Sequence, residues 1–421
     1  MIKIDRQKVF ATILSMLLIT VSGLGLSSVW AADTAVNTSS SKDQKKEKPK
    51  KPGFYTDSFH ILPEFQITGY HDDNIYATDR PKESDIVTIL SPTLKINSHW
   101  DRHSLKMNAG ANLGFYTDNT DENYEDLWAE ASGRYEISSA TSLFGGAGYK
   151  KKHEGRDSKE SAQSQDEPTT YDVLSMQFGG RQKLSDYVIR LGVTYEKMDF
   201  DNVGDLVNDD RDRTHAGLGL RVTRGLDKQT KVFAQGLLNK RAYDEDLDLG
   251  DYDRDSAGYT AAVGLIKKFG KKDRIEAYLG LLSQEYDDAG FDTVTEPNFG
   301  VNLRWYPAET YKFTGSLNRT LSETTEDGAS GYLYTNLNLQ LDKRMFTDYV
   351  GYVSYGYGYS DYQEFDRDDT FNSFGIGLNY YMSPHLFFSG SYSHIDNDSS
   401  DDDYDYDRNL FLISFKAKLA P

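Results

Sequence analysis

From residue 52 onward apolar and polar residues alternate with a period of two, and no stretch sustains the i, i+3, i+4 spacing of an amphipathic helix. In 85–97, Ile86, Thr88, Leu90, Pro92, Leu94 and Ile96 share one face, and Ser91, Thr93, Lys95 and Asn97 share the other. In 105–116, Leu105, Met107, Ala109, Ala111, Leu113 and Phe115 oppose Lys106, Asn108, Asn112 and Tyr116. The pattern recurs: Leu127, Ala129 and Tyr135 oppose Glu130 and Arg134, Phe299, Val301, Leu303 and Trp305 oppose Asn302 and Arg304, and Leu333, Leu337, Leu339 and Leu341 oppose Asn336, Asn338 and Gln340. Successive side chains of a strand point to opposite faces, so these segments read as strands whose two faces meet different surroundings.

The connections decide which β protein this is. Short turns fall around Asp101 and near 139, 185, 227, 270, 308, 345 and 384, and long polar loops at 71–84, 117–124, 152–170, 200–212, 243–254, 286–297, 323–331, 361–370 and 396–407. Nine long loops alternating with eight short turns predict eighteen strands, with sixteen as the neighbouring count. The expected fold is all-β, a transmembrane antiparallel up-and-down β-barrel over 58–421. A strand crosses hydrocarbon in roughly 9–11 residues and shows only every second one to lipid. Closure gives every backbone group a partner in the wall.

The N-terminus sets the compartment. Lys3, Arg6 and Lys8 precede an apolar run at 9–26 broken by Ser and Gly, and Val29-Trp30-Ala31 offers a cleavage site. This predicts a secretory signal peptide over 1–31. Residues 32–57 read as a linker, with six Lys between 39 and 51. The chain has no Cys, which removes both a lipoprotein anchor and disulfides. An even strand count puts both ends of an exported barrel in the periplasm and the long loops outside. The expected location is therefore the outer membrane of a Gram-negative bacterium, in contact with its lipid and lipopolysaccharide.

Composition fits this better than its averages suggest. A mean hydropathy of −0.64 and 27% charged residues would describe a soluble domain, but a barrel with a polar bore averages to the same values. Among 30 Tyr and 21 Phe, those near strand ends (Tyr70 and Tyr76, Phe115 and Tyr116, Tyr195 and Phe200, Tyr355, Tyr357 and Tyr359, Tyr380 and Tyr381) are expected to form interfacial girdles. The net charge of −19 makes nucleic acid an unsuitable partner.

Candidate chemistry is sparse. There is no nucleophile elbow, His-Glu-x-x-His or phosphate loop, and His99 and His103 lie at a strand–turn junction, so no enzymatic activity is expected. Two acidic loops carry D-x-D-x-D spacing, at Asp251, Asp253 and Asp255 and at Asp403, Asp405 and Asp407, without the Gly and Glu of an EF-hand. No cofactor is expected beyond loosely bound Ca²⁺ or Mg²⁺ at Asp401, Asp403, Asp405 and Asp407, or cation-bridged contact with lipopolysaccharide phosphates; a plain solvated loop is the alternative. Turns at the other end are basic, as at Lys267, Lys268, Lys271, Lys272 and Arg274. The alternation assigns Lys95, Lys106, Trp128, Glu130, Arg134, Arg190, Glu196, Arg221, Arg304 and Lys312 to the pore lining. Mixed charge with Asn, Tyr116 and Trp128 suits an uncharged or weakly charged hydrated solute such as a sugar chain.

The stretches Gly69-Tyr70-His71-Asp72-Asp73-Asn74-Ile75-Tyr76-Ala77-Thr78 and Ser84-Asp85-Ile86-Val87-Thr88-Ile89-Leu90-Ser91-Pro92-Thr93-Leu94 resemble the opening hairpin of the outer-membrane β-barrel porin type 2 family. The end departs from the usual outer-membrane pattern, with Pro421 in place of a terminal aromatic. The resemblance implies a bacterial outer-membrane barrel, often linked to exopolysaccharide or capsule production. The resulting expectation is a channel that helps export such a polymer with periplasmic partner proteins. The alternatives are a diffusion porin, for which 152–170 is the candidate inward-folding loop, and a structural or adhesion barrel acting through its acidic loops.

Overall fold

A computed structural model describes residues 52–160 and 167–419; the expected signal peptide, nearly all of the Lys-rich linker segment and Pro421 lie outside the described residues. A two-residue strand, β1 (Phe54–Tyr55), pairs with the start of β2. The wall opens with β2 (Phe59–Asp72), β3 (Asp85–Ser98), β4 (Ser104–Tyr116), β5 (Tyr124–Glu136), β6 (Thr141–His153) and β7 (Thr170–Leu184). It continues through β8 (Tyr187–Phe200), β9 (Arg213–Gly225), β10 (Thr230–Tyr243), β11 (Ser256–Lys268), β12 (Arg274–Tyr286) and β13 (Val294–Trp305). It ends with β14 (Tyr311–Ser322), β15 (Tyr332–Arg344), β16 (Tyr349–Tyr362), β17 (Asp368–Tyr381), β18 (Leu386–Ser399) and β19 (Tyr406–Lys418).

Each strand pairs antiparallel with its sequence neighbours, and β19 closes on β2 from Leu410↔Asp72 to Lys418↔Glu64. The eighteen expected strands β2–β19 thus form a closed ring with long loops at one end and short turns at the other. Strands of 12 to 15 residues, tilted as barrel strands are, span roughly 30–35 Å, which matches a bilayer core with its margins.

Side chains divide as the alternation requires. Leu279 and Ile413 are 63% and 60% exposed in mid-strand, which places them on a lipid-facing surface. Their strand neighbours of opposite parity face the interior, including Gly280 beside Leu282 and Ser414 beside Leu412. One expectation changes. Of the aromatics assigned to the girdles, Phe115 is outward and 45% exposed, whereas its neighbour Tyr116 and also Tyr70 line the interior and Phe200 is buried there. Adjacent residues cannot both face lipid in a flat strand.

The interior is not uniform. Around β9–β12 the wall bends sharply enough for Arg221 on β9 to reach Glu276 on β12 at 2.6 Å, over the ring of Phe233 at 3.6 Å. Glycines allow this: a Cβ at Gly264 would stand 2.3 Å from Phe233, and one at Gly280 2.0 Å from the Ala261 carbonyl. Leu237, Ala262 and Tyr278 fill the resulting lobe. The open space lies along the remaining wall.

One seam is short. β13 pairs with β12 from Val294 to Arg304, but with β14 only over Gly300–Trp305. Beyond Gly300 the Asn298 side chain donates to the Arg319 carbonyl at 2.6 Å, and Arg319 meets Glu296 at 3.4 Å. Leu321 and Leu333 there join Leu282, Tyr286, Phe291 and Val294 in a buried cluster, although Leu333 shares the parity of the outward Leu337 and Leu339. Hydrogen exchange in micelles should show the amides of Val294–Phe299 that point toward β14 exchanging at least roughly ten-fold faster than those bonded to β12. Equal protection of both sets would mean that the seam is closed in solution.

Candidate functional site: a bore narrowed by an inward loop

The interior holds a cavity of about 1380 Å³, lined by residues of every wall strand except β10 and β11. Residues Glu154 to Glu160, which follow β6, line it, so the expected inward-folding loop does enter the barrel. Its sequence explains how it stays there. In Glu154-Gly155-Arg156-Asp157-Ser158-Lys159-Glu160 charges of both signs alternate, and each finds a different partner in the wall or in an outer loop.

Arg156 makes a bidentate pair with Glu122 at 2.9 and 2.5 Å, both side chains being buried. Glu154 receives both arms of Arg211 at 2.7 and 3.0 Å, and Arg211 lies over the Phe200 ring at 4.2 Å. Asp157 faces Arg408 of β19 at 3.6 Å. Lys159 pairs with Asp369 of β17, a carboxylate that also holds Arg367 at 3.0 and 3.2 Å. Glu160 accepts from the Thr325 backbone N–H at 3.0 Å and its hydroxyl at 3.1 Å. The loop thus reaches across the bore to β17, β19 and the 323–331 loop. That last loop is itself held by Arg254, which donates to the carbonyls of Thr324, Glu326 and Ala329.

Below the loop the lining is neutral and polar. Ser354, Ser373, Ser389, Ser391, Ser393 and Ser414 with Asn336 and Asn338 cover the β15–β19 wall. Tyr70, Tyr116, Tyr124 and Trp128 stand on the adjoining β2–β5 wall. Hydroxyls and amides partner one another, as in Ser389 with Ser414 at 2.9 Å and Ser91 donating to Asn112 at 2.8 Å. At the short-turn end the cavity meets Glu64, Lys95, Lys416, Arg274 and Arg304.

The ten residues assigned to the lining all take the inward parity, but they are not equivalent. Lys95, Trp128 and Arg304 border the open cavity, with Lys95 paired to Glu64. Lys106 sits between Asn97 and Ser132 in the ladder. Glu130 pairs with Lys150 at 2.9 Å, Arg134 with Glu136 at 2.8 Å and Lys312 with Asp342 at 3.1 Å, each against the wall. Arg190 stands between Arg181 and Arg221 in register, and Glu196 opposite His215. Arg190 and Arg221 belong to the filled side of the barrel rather than to the open bore. Sequence reasoning missed the loop residues Arg156, Asp157, Lys159 and Glu160 and their partners Asp369 and Arg408; the alternating charges of 154–160 were the available signal.

The acidic loop reads as a folded turn. Asp401 accepts from the Asp403 N–H, Asp405 from the Ser399 N–H, and Asp407 pairs with Lys82. Among the described residues no group of three or more acids or histidines is arranged to hold a metal.

Two outcomes test this picture. Asp369→Ala leaves Arg367 and Lys159 without their shared carboxylate, which for a buried pair costs about 3–5 kcal/mol. Trypsin should then cut the folded protein after Lys159, a bond protected in the parent; equal resistance would show that the ion pairs do not hold the loop. At the rim, burial and the neighbouring Asp199, Asp244 and Asp209 push the Asp212 carboxyl up to about 6, from an ordinary 3.8, against the pull of the Phe200 N–H. The folded state then takes up a proton before the unfolded one, so stability should rise as pH falls from 7 to 5. Asp212→Asn should flatten that rise in a thermal melt; an unchanged slope would remove Asp212 from the account.

A search among curated proteins finds no match. Among solved structures the chain is similar to three Pseudomonas aeruginosa barrels. OccK2 (OpdF) has 8% identity and a TM-score of 0.49, with 88% of this chain and 100% of that one covered. OpdK with vanillate has 12% and 0.44, covering 85% and 98%. OpdL has 13% and 0.43, covering 85% and 99%. These likenesses concern architecture alone. The profile of the family described as Putative beta-barrel porin 2 matches residues 49–419, the whole described barrel, and the chain belongs to that family of outer-membrane porins.

Proposed function

We propose that this porin is a passive diffusion channel for small hydrated solutes, with its long loops facing the cell exterior and both ends of the barrel in the periplasm. The inward loop carries this reading. A segment tied by ion pairs to β17 and β19 divides the bore, leaving room for solutes of monosaccharide size beside it. The Ser and Asn lining below offers hydrogen bonds without holding a solute tightly, as permeation requires.

Export of an exopolysaccharide with periplasmic partners, the first expectation, needs a bore that a polymer can thread. The loop would have to leave Glu122, Arg211, Asp369 and Arg408 together. The acidic outer loops could still meet lipopolysaccharide phosphates through divalent cations, a contact that would anchor the rim and leave transport unchanged.

The test is single-channel recording of the full-length mature protein in planar bilayers. Stepwise, ohmic conductance is expected. Lys159→Ala with Glu160→Gln should free the far end of the loop and raise the unit conductance roughly two-fold by widening the narrowest section. Absence of any conductance would overturn the channel reading, and an unchanged conductance in the double variant would show that the loop does not limit flow.

A further inference from the structure

The short-turn half of the bore carries a charge opposite to that of the chain. The protein is at −19, yet at this end of the interior six cations, Lys95, Arg221, Arg274, Arg304, Lys416 and Lys418, are met by the two acids Glu64 and Glu276. Six positive charges against two negative leave four in excess. Other acids on this level cancel locally, Glu136 against Arg134 and Asp342 against Lys312. Higher in the bore, the acids around the inward loop are nearly matched: Glu122 by Arg156, Glu154 by Arg211 and Asp369 by Lys159 and Arg367, while Asp72 and Asp157 share Arg408 and Glu160 is met by Thr325. The narrow section is therefore close to neutral, and the unbalanced charge lies beneath it.

Its position gives it effect. Lys95 and Lys416 face the cavity from the β3 and β19 wall, and Arg274 and Arg304 face it from β12 and β13. Neither Arg304 nor Lys416 forms an ion pair among the described residues, and the Arg274 side chain remains 39% exposed beside Glu276. Charges lining a bore with low-dielectric walls focus their field into it, and physiological salt screens such charges only over about 8 Å. Neutral donors stand alongside, with Gln340, Asn338 and Ser414 on the same cavity.

We propose that the bore selects small polar organic anions, and that Lys95, Lys416, Arg274 and Arg304 form a transient site for their carboxylate or phosphate group. The inference rests on the channel reading above and names the solute class that reading leaves open. A solute passes the neutral constriction by size, is drawn to the basic belt by charge, and exchanges hydrogen bonds with serine and asparagine side chains on either side of it.

The experiment is the reversal potential of the wild-type protein in planar bilayers under a potassium chloride gradient. Chloride should permeate at least roughly three times better than potassium. Arg304→Glu with Lys416→Glu should reverse that preference, and the single changes Arg304→Gln and Lys416→Gln, which remove charge without adding a buried acid, should each reduce it. Gluconate and glycerol phosphate, added separately, should each transiently block chloride current in the wild type, and the relative block tells which head group the belt favours. Current with no preference, or with a preference for potassium, would overturn the inference while leaving the channel intact. Complete absence of current would instead strike the channel reading.

Discussion

In hydrocarbon no water is present to satisfy a backbone N–H or C=O, so the wall must do so by itself. The pairing of β19 with β2 meets that condition by leaving the sheet no edge. Two freedoms follow. Half the residues of every strand need only be apolar toward lipid, and the other half are released from making a hydrophobic core. The interior can then hold serines, asparagines and charges that would be costly inside a soluble protein of similar size.

That release also explains how the inward loop is held. No backbone ladder is available to it, since the wall's own groups are already paired, and its contacts with the far wall are made through side chains. Arg156, Asp157 and Lys159 each meet a carboxylate or guanidinium set in the wall or an outer loop. Buried ion pairs contribute little net stability against well-packed apolar contacts, but removing one partner is costly. Such pairs therefore serve registry: each fixes one point of the loop over one point of the ring, and several together leave it a single placement.

Much of this was legible in the sequence. A period of two and alternating connection lengths gave the strand count, the in-and-out assignment of residues such as Lys95 and Trp128, and the loop that enters the bore. What the alternation could not report is curvature. Nothing local to Arg221 or Glu276 says that their strands bend until the two meet, because the contact depends on glycines at 264 and 280 in the strands between and beside them. Arg190 and Arg221 thus read as pore-lining although their side of the barrel is filled. Tyr70 and Tyr116 were misplaced for a related reason: closeness to a strand end suggests an interface, but parity decides the face. Leu333 shows the opposite failure, a residue of correct parity drawn into a cluster where the β13–β14 ladder stops.

The partners of the inward loop have a consequence for the order of events in assembly. Residues 154–160 lie in the first half of the chain, while Asp369 and Arg408 are contributed by the third-last and last strands. Until those strands have joined the sheet, the loop lacks two of the charges that fix it. Any state in which those strands stand outside the sheet therefore has a loop without two of its anchors, and the passage has its final width only when the ring is complete. A barrel halted before its last hairpin would be an unfinished wall and also a channel without its filter.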